Sequence, residues 1–376
     1  MKEILEEVIR ILEHGGPEER VAVASIVSAS GSLPMSRRSR MLVASSGAQQ
    51  GTVGGGCLEA EVHALAGTVM RQGGARLRRF TLTEAKAGAE GLNCGGTVEI
   101  LIEALPAGGG VGGVGGDVGD EALSIHRQAL ASLEAREETV LATVIEPRGS
   151  EGVVAIAGRA LVGWKGLRIG SGLLRDDAPL TRHAVEEGLA ILGQDRSRLS
   201  RLPEGMAAAP GSLLFLETLS TPPVVYLFGG GHVSLAVARV ARVAGFRIVV
   251  VDDRAAFANP ERFPDADLTL VAPMETAFSR LPIDRHSYIV AVTRGHQHDE
   301  PVIEQALATP AAYIGMIGSR RKVAIMWKRL RERGITDQQL ARVHAPIGVP
   351  IGGDSPGEIA VSIVAQMIQV RRRPAR

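Results

Sequence analysis

Apolar positions along the chain follow three successive patterns. From Met1 to His14 they recur at helical spacing among Glu3, Glu6, Glu7 and Glu13, which predicts an amphipathic helix. From Ala24 to Phe215 short apolar runs alternate with glycine turns, interrupted by two stretches of helical period, Leu58 to Met70 and Leu180 to Leu192. Met41-Leu42-Val43 and Thr52-Val53 read as strand pieces. From Val224 onward strands and helices alternate: Val224 to Phe228, Leu235 to Ala244, Arg247 to Val251, Leu268 to Val271, Tyr288 to Val292, Pro301 to Leu307 and Tyr313 to Ile317. This third pattern predicts a doubly wound parallel sheet.

The middle pattern repeats. Ala24-Ser25-Ile26-Val27 followed by Gly31-Ser32 is echoed by Ala142-Thr143-Val144-Ile145 followed by Gly149-Ser150, and Met41-Leu42-Val43 by Ala160-Leu161-Val162. Each copy then passes through a glycine turn into a helix and ends on a strand, near Ile100 or Phe215. A pseudo-symmetric two-copy α/β domain is expected over residues 1–219, with copies at about 1–105 and 121–219. The glycine-rich stretch 106–120 reads as a flexible linker. Ser220-Thr221-Pro222-Pro223 marks a second break, so residues 220–376 form the C-terminal domain.

The copies differ where chemistry belongs. Gly54-Gly55-Gly56-Cys57 stands at a strand-to-helix turn, whereas the second copy offers Ser171-Gly172-Leu173-Leu174; both cysteines, Cys57 and Cys94, lie in the first copy. Glycines let a ligand approach the backbone, a helix N-terminus favours negative charge, and a thiol there ionises more readily than a free one. A tight corner with a small buried cysteine is the plainer reading, and the missing counterpart weakens it. Arg37, Arg38 and Arg40 beside this turn suit phosphate or acidic oxygens, although solvent exposure explains each arginine taken alone.

In the C-terminal segment Gly229-Gly230-Gly231-His232-Val233-Ser234 follows a strand, and Asp252 and Asp253 end the next one, at the spacing of a ribose-binding acid. The fold expected is therefore Rossmann-like, with NAD(P) as a candidate ligand, though Ser234 stands in the usual place of a third Gly or Ala. His296, His298 and Asp299 lie in a predicted loop at the carboxyl edge of the sheet, and their spacing matches no metal rule, so no tightly held metal is expected. Ser319-Arg320-Arg321-Lys322 caps and opens a helix with three cations that oppose its dipole, which calls for an anion or an acidic partner. Ser355-Pro356-Gly357-Glu358 is a capping box.

Composition narrows the function. A net charge of +1 and 3% aromatic residues remove the global case for nucleic acid, and 45% apolar content argues for a folded chain. Two cysteines exclude a disulfide framework, and a cytoplasmic location is the default. The N-terminus does not read as a signal peptide, and the apolar runs fall far short of the roughly 20 residues that cross a bilayer.

These residues resemble the XdhC/CoxI family, the xanthine dehydrogenase accessory proteins, over almost the full chain. The N-terminal match comprises Gly31-Ser32, Pro34, Met41-Leu42-Val43, Gly51 to Glu59 and Cys94-Gly95-Gly96; the C-terminal match comprises Gly229 to Val233, Asp252-Asp253-Arg254, Thr293 with His296 and Asp299, Ile317 to Lys322, and Pro346-Ile347-Gly348 through Pro356 and Glu358-Ile359-Ala360. Arg294 stands where the family commonly has His. The resemblance implies a protein that binds molybdenum cofactor, as molybdopterin or its cytosine dinucleotide form. It further implies shelter for the cofactor while a cysteine desulfurase supplies sulfur, then delivery to an apo-molybdenum hydroxylase. On that reading the cofactor-binding residues are Gly54, Gly55, Gly56, Cys57, Glu59, Cys94, Arg37 and Arg38, with Gly229, Gly231, His232, Asp252, Ser319, Arg320 and Lys322 in the C-terminal domain. Cys57 would contact molybdenum or relay sulfur, Glu59 would meet the pterin edge, and no residue is assigned to catalysis. A homodimer is expected, since a cofactor needing shelter suits a crevice between domains or between protomers. The alternatives are an NAD(P)-dependent oxidoreductase with His296 or His298 as proton donor, and a scaffold that binds only proteins.

Overall fold

A computed structural model describes residues 1–14, 19–31, 39–81, 96–105, 116–149, 152–194, 196–207 and 209–372 of the 376. The chain divides into two compact units, Met1–Ser220 and Thr221–Arg376. Among the described residues no helix is long and apolar enough to cross a membrane.

In the first unit, helix α1 (Lys2–His14) precedes strands β1 (Val21–Ser30), β2 (Arg40–Ala44) and β3 (Gln49–Gly51), helix α2 (Gly56–Gln72), and strands β4 (Ala75–Thr81) and β5 (Thr97–Leu105). The same succession returns as α3 (Gly116–Glu134), β6 (Thr139–Pro147), β7 (Val153–Gly163), β8 (Gly166–Gly172), α4 (Pro179–Ile191), β9 (Ser197–Arg201) and β10 (Leu213–Leu219). Pairing is antiparallel, in the order β3-β2-β1-β5-β4-β7-β6-β10-β9 with β8 on β7. Each copy thus runs third, second, first, fifth, fourth, and the copies join where β4 pairs with β7. Register repeats as well: Ser25 faces Arg40 and Leu101, and Thr143 faces Arg159 and Phe215. This is the expected two-copy α/β domain, built on one antiparallel sheet.

The two-residue alternation of a strand sets the packing. Ala22, Ala24 and Ile26 of β1 pack with Leu58, Val62, Ala66 and Val69, which line one stripe of α2. Val140, Ala142 and Val144 meet Leu180, Ala184 and Ile191 of α4 in the same way. The opposite faces of the two copies share a cluster of Val27, Leu101, Ile145 and Phe215. Burying each large aliphatic side chain is worth about 1.5–3 kcal/mol, so these clusters weld the copies together.

Two sequence boundaries move. Thr52-Val53, read as strand, lies beyond β3 in the turn: the Thr52 N–H still donates to the Arg40 carbonyl of β2 at 2.9 Å, but the Thr52 hydroxyl and the Val53 N–H both donate to Glu59, which ends the ladder there. Helical backbone begins at Gly116, inside the stretch 106–120 expected as linker, since burial of Ile125, Ala129 and Leu133 on α3 outweighs the poor helix propensity of glycine before them; residues 106–115 lie outside the described residues.

The second unit contains β11 (Val224–Phe228), α5 (His232–Val243), β12 (Arg247–Asp252), β13 (Leu268–Val271), β14 (Ser287–Ala291), α6 (His296–Leu307), β15 (Tyr313–Met316), α7 (Arg320–Glu332), α8 (Asp337–Leu340), β16 (Val343–His344) and α9 (Pro356–Arg372). All pairs are parallel, in the order β13-β12-β11-β14-β15-β16. This is the strand order of the Rossmann fold, whose switch point lies between its first and fourth strands, here β11 and β14. Val237, Ala238 and Ala241 of α5 and Ile363, Val364 and Met367 of α9 cover one face; Val302, Ile303 and Ala306 of α6 and Val323, Met326 and Leu330 of α7 cover the other. The sheet is buried on both sides, which accounts for its near-continuous apolar strands.

Candidate functional site

In the first unit the site grows from the turn between β3 and α2. Gly54, Gly55 and Gly56 have φ of 135°, 76° and 57°, a run of left-handed backbone that side chains with a Cβ rarely adopt. Gly55 caps α2 without a side-chain bond, and a Cβ built on it would meet nothing within 4 Å. Backbone conformation, not crowding, requires glycine there. Glu59 organises the turn from inside: its carboxylate accepts from the Val53 N–H at 3.2 Å, from Gln49 Nε2 at 3.3 Å and from the Thr52 hydroxyl, while the Gly54 N–H donates to Thr52 Oγ1 at 3.1 Å. The hydrogen bond from Thr52 is the main reason that its carboxyl stays below the usual carboxylate range; partial burial opposes it, and the Gly55 and Val53 N–H groups assist. Glu59, assigned from the resemblance to a pterin edge, is thus engaged by the turn itself. Cys57 follows the glycines, exposed, in the first turn of α2.

The second copy lacks this device. Helix α4 starts on Pro179, behind an extended Ala178 that makes no side-chain cap. Arg37, Arg38 and Cys94 lie outside the described residues.

In the second unit the site is the carboxyl edge of the sheet. Gly229 has φ 107°, and a Cβ on it would come within 2.5 Å of the Val292 carbonyl; one on Gly230 would overlap the Phe257 carbonyl. The segment after β12 thus presses on the glycine turn. Gly231, the cap of α5, faces open space, and His232 next to it is exposed. Asp252, 2% exposed, accepts from the Gly230 N–H at 2.7 Å, from the Arg254 N–H at 3.1 Å, and from Arg254 Nε and Nη2 at 2.9 and 3.1 Å. Burial pushes this carboxyl up, but the Arg254 guanidinium and the two N–H groups together hold it below the ordinary aspartate value. Arg254 also lies 3.6 Å over the Phe257 ring.

Two further ion pairs tie the strand ends. Arg294, after β14, donates to Asp253, after β12, at 2.8 Å, and to His298 Nε2 at 3.2 Å. Since β11 lies between β12 and β14, this contact crosses its carboxyl end. Asp299, fully buried, accepts from the Thr293 hydroxyl at 2.6 Å and from Lys322 Nζ at 2.5 Å. Lys322, read as one of three cations awaiting an anion, therefore has an acidic partner within the chain. Arg320 and Arg321 are exposed, and Ser319 caps α7 by accepting from the Lys322 N–H at 3.2 Å. The stretch expected as a His-rich loop enters helix at His296, because Asp299, anchored to Thr293 and Lys322, draws the first turn onto the sheet edge. Among the described residues no three His, Cys, Asp or Glu side chains converge as a metal site.

The structure gathers Gly229, Gly231, His232 and Asp252 at the carboxyl ends of β11 and β12, and places Ser319, Arg320 and Lys322 beyond β15, at the cap and first turn of α7. The partnership of Arg254 with Asp252 is not among the sequence-based expectations, and the adjoining Asp252-Asp253-Arg254 is its signal in the sequence.

Residues 225–367 match the XdhC Rossmann domain, and residues 16–81 match the XdhC and CoxI family. The chain belongs to the XdhC/CoxI family. It is 32% identical over 234 residues to the uncharacterized protein YqeB of Escherichia coli K12, covering 60% of this chain and 41% of that protein. It is 33% identical over 162 residues to a probable xanthine dehydrogenase subunit of Bacillus subtilis strain 168, covering 43% of this chain and 47% of that protein. The matched XdhC/CoxI chain thus spans less than half the length of these curated relatives. A solved structure from Bacillus halodurans, described as a xanthine dehydrogenase, superposes with a TM-score of 0.70 at 22% identity over 99% of this chain and 95% of that one, a likeness of fold.

Proposed function

We propose that this XdhC/CoxI protein binds molybdenum cofactor, shelters it while a cysteine desulfurase supplies its terminal sulfur, and delivers it to an apo-molybdenum hydroxylase such as xanthine dehydrogenase. The observation that carries this reading is the turn before α2. Three left-handed glycines, a helix N-terminus and an exposed thiol adjoin there, and the space beside Gly55 is open. Such a cradle suits an anionic cofactor with a thiophilic metal: the backbone approaches closely, the helix end favours the phosphate, and Cys57 offers a thiol to contact the metal or relay the desulfurase's sulfur. Glu59 keeps the cradle shaped by holding the N–H groups of the turn. Membership of the family and the xanthine dehydrogenase name of the Bacillus subtilis relative support a hydroxylase as client.

Anaerobic titration of the purified protein with molybdenum cofactor, followed by transfer to an apo-hydroxylase, tests the proposal. Saturable binding and client activation are expected, with Cys57→Ala weakening binding tenfold or more. Binding and activation unchanged in both Cys57→Ala and Cys94→Ala would make the thiols structural, and no cofactor binding at all would overturn the function. Light scattering of the loaded protein tests the homodimer that goes with it.

NAD(P) binding is the second reading, favoured by the Rossmann strand order and the open face of Gly231. Against it, Asp252 and the Gly230 N–H already satisfy each other, so a ribose would have to displace Arg254. Tight NAD(H) binding without cofactor binding would favour this alternative.

A further inference from the structure

A second polar centre lies inside the first unit, apart from the glycine turn. Arg40 on β2 pairs with Glu217 on β10, and Arg159 on β7 pairs with Glu103 on β5. The side chains are largely buried, 9% and 2% exposed in the first pair and 11% and 16% in the second. The two pairs are equivalents under the repeat: Arg40 faces Ser25 as Arg159 faces Thr143, and Glu103 faces Val23 as Glu217 faces Leu141. Each copy therefore reaches its arginine into the carboxylate of the other.

A small cavity of about 30 Å³ lies here, with Arg40, Arg159, Glu103, His126, Ser25 and Thr143 set among the largely apolar side chains of its wall. Arg40 Nε is buried and has no hydrogen-bond partner. His126 Nδ1 lies 2.6 Å from the Ala122 carbonyl, which can only accept, so Nδ1 carries the proton and Nε2 of the neutral ring is an acceptor. The wall thus contains a donor without a partner together with histidine, carboxylate and hydroxyl acceptors.

We infer that this cavity is an internal hydration site, holding about one or two water molecules that accept from Arg40 Nε and donate to the acceptors around it. Volume sets the number, since a water needs about 10–15 Å³ of such space. Charge sets the identity. Each guanidinium in the wall is paired with a carboxylate, Arg40 with Glu217 and Arg159 with Glu103, so neither a cation nor an anion is drawn in by net charge. A halide would accept from Arg40 but offer nothing to the lone pairs opposite, whereas water serves both. Hydration of this kind also reduces the cost of keeping two ion pairs inside a protein, and it lets the polar centre set the register of one copy against the other.

Oxygen-17 magnetic relaxation dispersion counts long-lived internal waters in solution and tests the inference on the full-length protein. The double variant Arg40→Met/Glu217→Met, which removes the donor and its partner while filling similar volume, is expected to lose dispersion amplitude equivalent to about one or two waters, with unchanged far-ultraviolet circular dichroism. Identical amplitude in a folded double variant would overturn the site. A wild-type crystal structure provides an answer that no variant's folding can cloud: density within hydrogen-bonding distance of Arg40 Nε supports the site, and a dry cavity overturns it.

Discussion

Lys322 and Asp299 show how a single residue changes meaning once its neighbours are known. By sequence Lys322 is the third cation at the start of a helix, and Asp299 is the last residue of a histidine-rich stretch. Folded, they meet at 2.5 Å, with Asp299 fully buried and Lys322 largely so. Breaking a buried pair from one side leaves an uncompensated charge, so Lys322→Met is expected to destabilise the protein by about 3–5 kcal/mol. Replacing both partners with apolar residues of similar size should recover most of that loss, as urea denaturation of the two variants will show. The pairing was not legible because the residues sit on the helices that follow adjacent strands, β14 and β15, and only the strand order brings them together. The partners of Glu59 were closer to hand. Gln49, Thr52 and Val53 lie only a few residues before it, so the carboxylate and its donors could have been matched by spacing alone.

At the scale of the element, the turn before α2 was legible and its neighbours were less so. Three successive glycines before a helical period announce a left-handed turn, because other residues pay a conformational penalty there. Gly55→Ala isolates that requirement: its φ is 76° and nothing lies within 4 Å of the added methyl. A loss of about 1–2 kcal/mol in stability is expected from backbone strain, with cofactor binding weakened at the same time; melting curves and the anaerobic titration measure the two effects. Element ends shifted where a tertiary contact competed with local preference. Helix α6 begins at His296, ahead of Pro301, and α3 begins among glycines at Gly116. Helix α9 keeps the boundary implied by its capping box: Glu358 accepts from the N–H groups of Ser355 and Asp354, and those bonds hold its carboxyl down to about 2.

The molecule as a whole carries one pH dependence that follows from the duplicated sheet. His126 is buried beside the exchanged ion pairs, and burial first, then the field of Arg159, lowers its pKa from 6.5 to about 4. The unfolded chain therefore takes up this proton at a higher pH than the folded one. Stability present above pH 6.5 is lost as the pH falls toward 4 and the loss levels off below that, amounting to on the order of 3 kcal/mol. Urea titrations across this range should show the slope in the wild type and a flatter profile in His126→Gln; equal slopes would assign the effect to other groups. The periodicities, the repeated strand-turn-helix order and the glycine turns were written in the sequence, because each depends on residues near one another along the chain. They determined both fold classes and the position of the Gly54 to Cys57 turn. Which charges neutralise each other was decided only by the tertiary structure. Arg40 with Glu217, Arg159 with Glu103, Lys322 with Asp299 and Arg294 with Asp253 are joined by strand order and register, and pairing across a sheet leaves no period in the sequence.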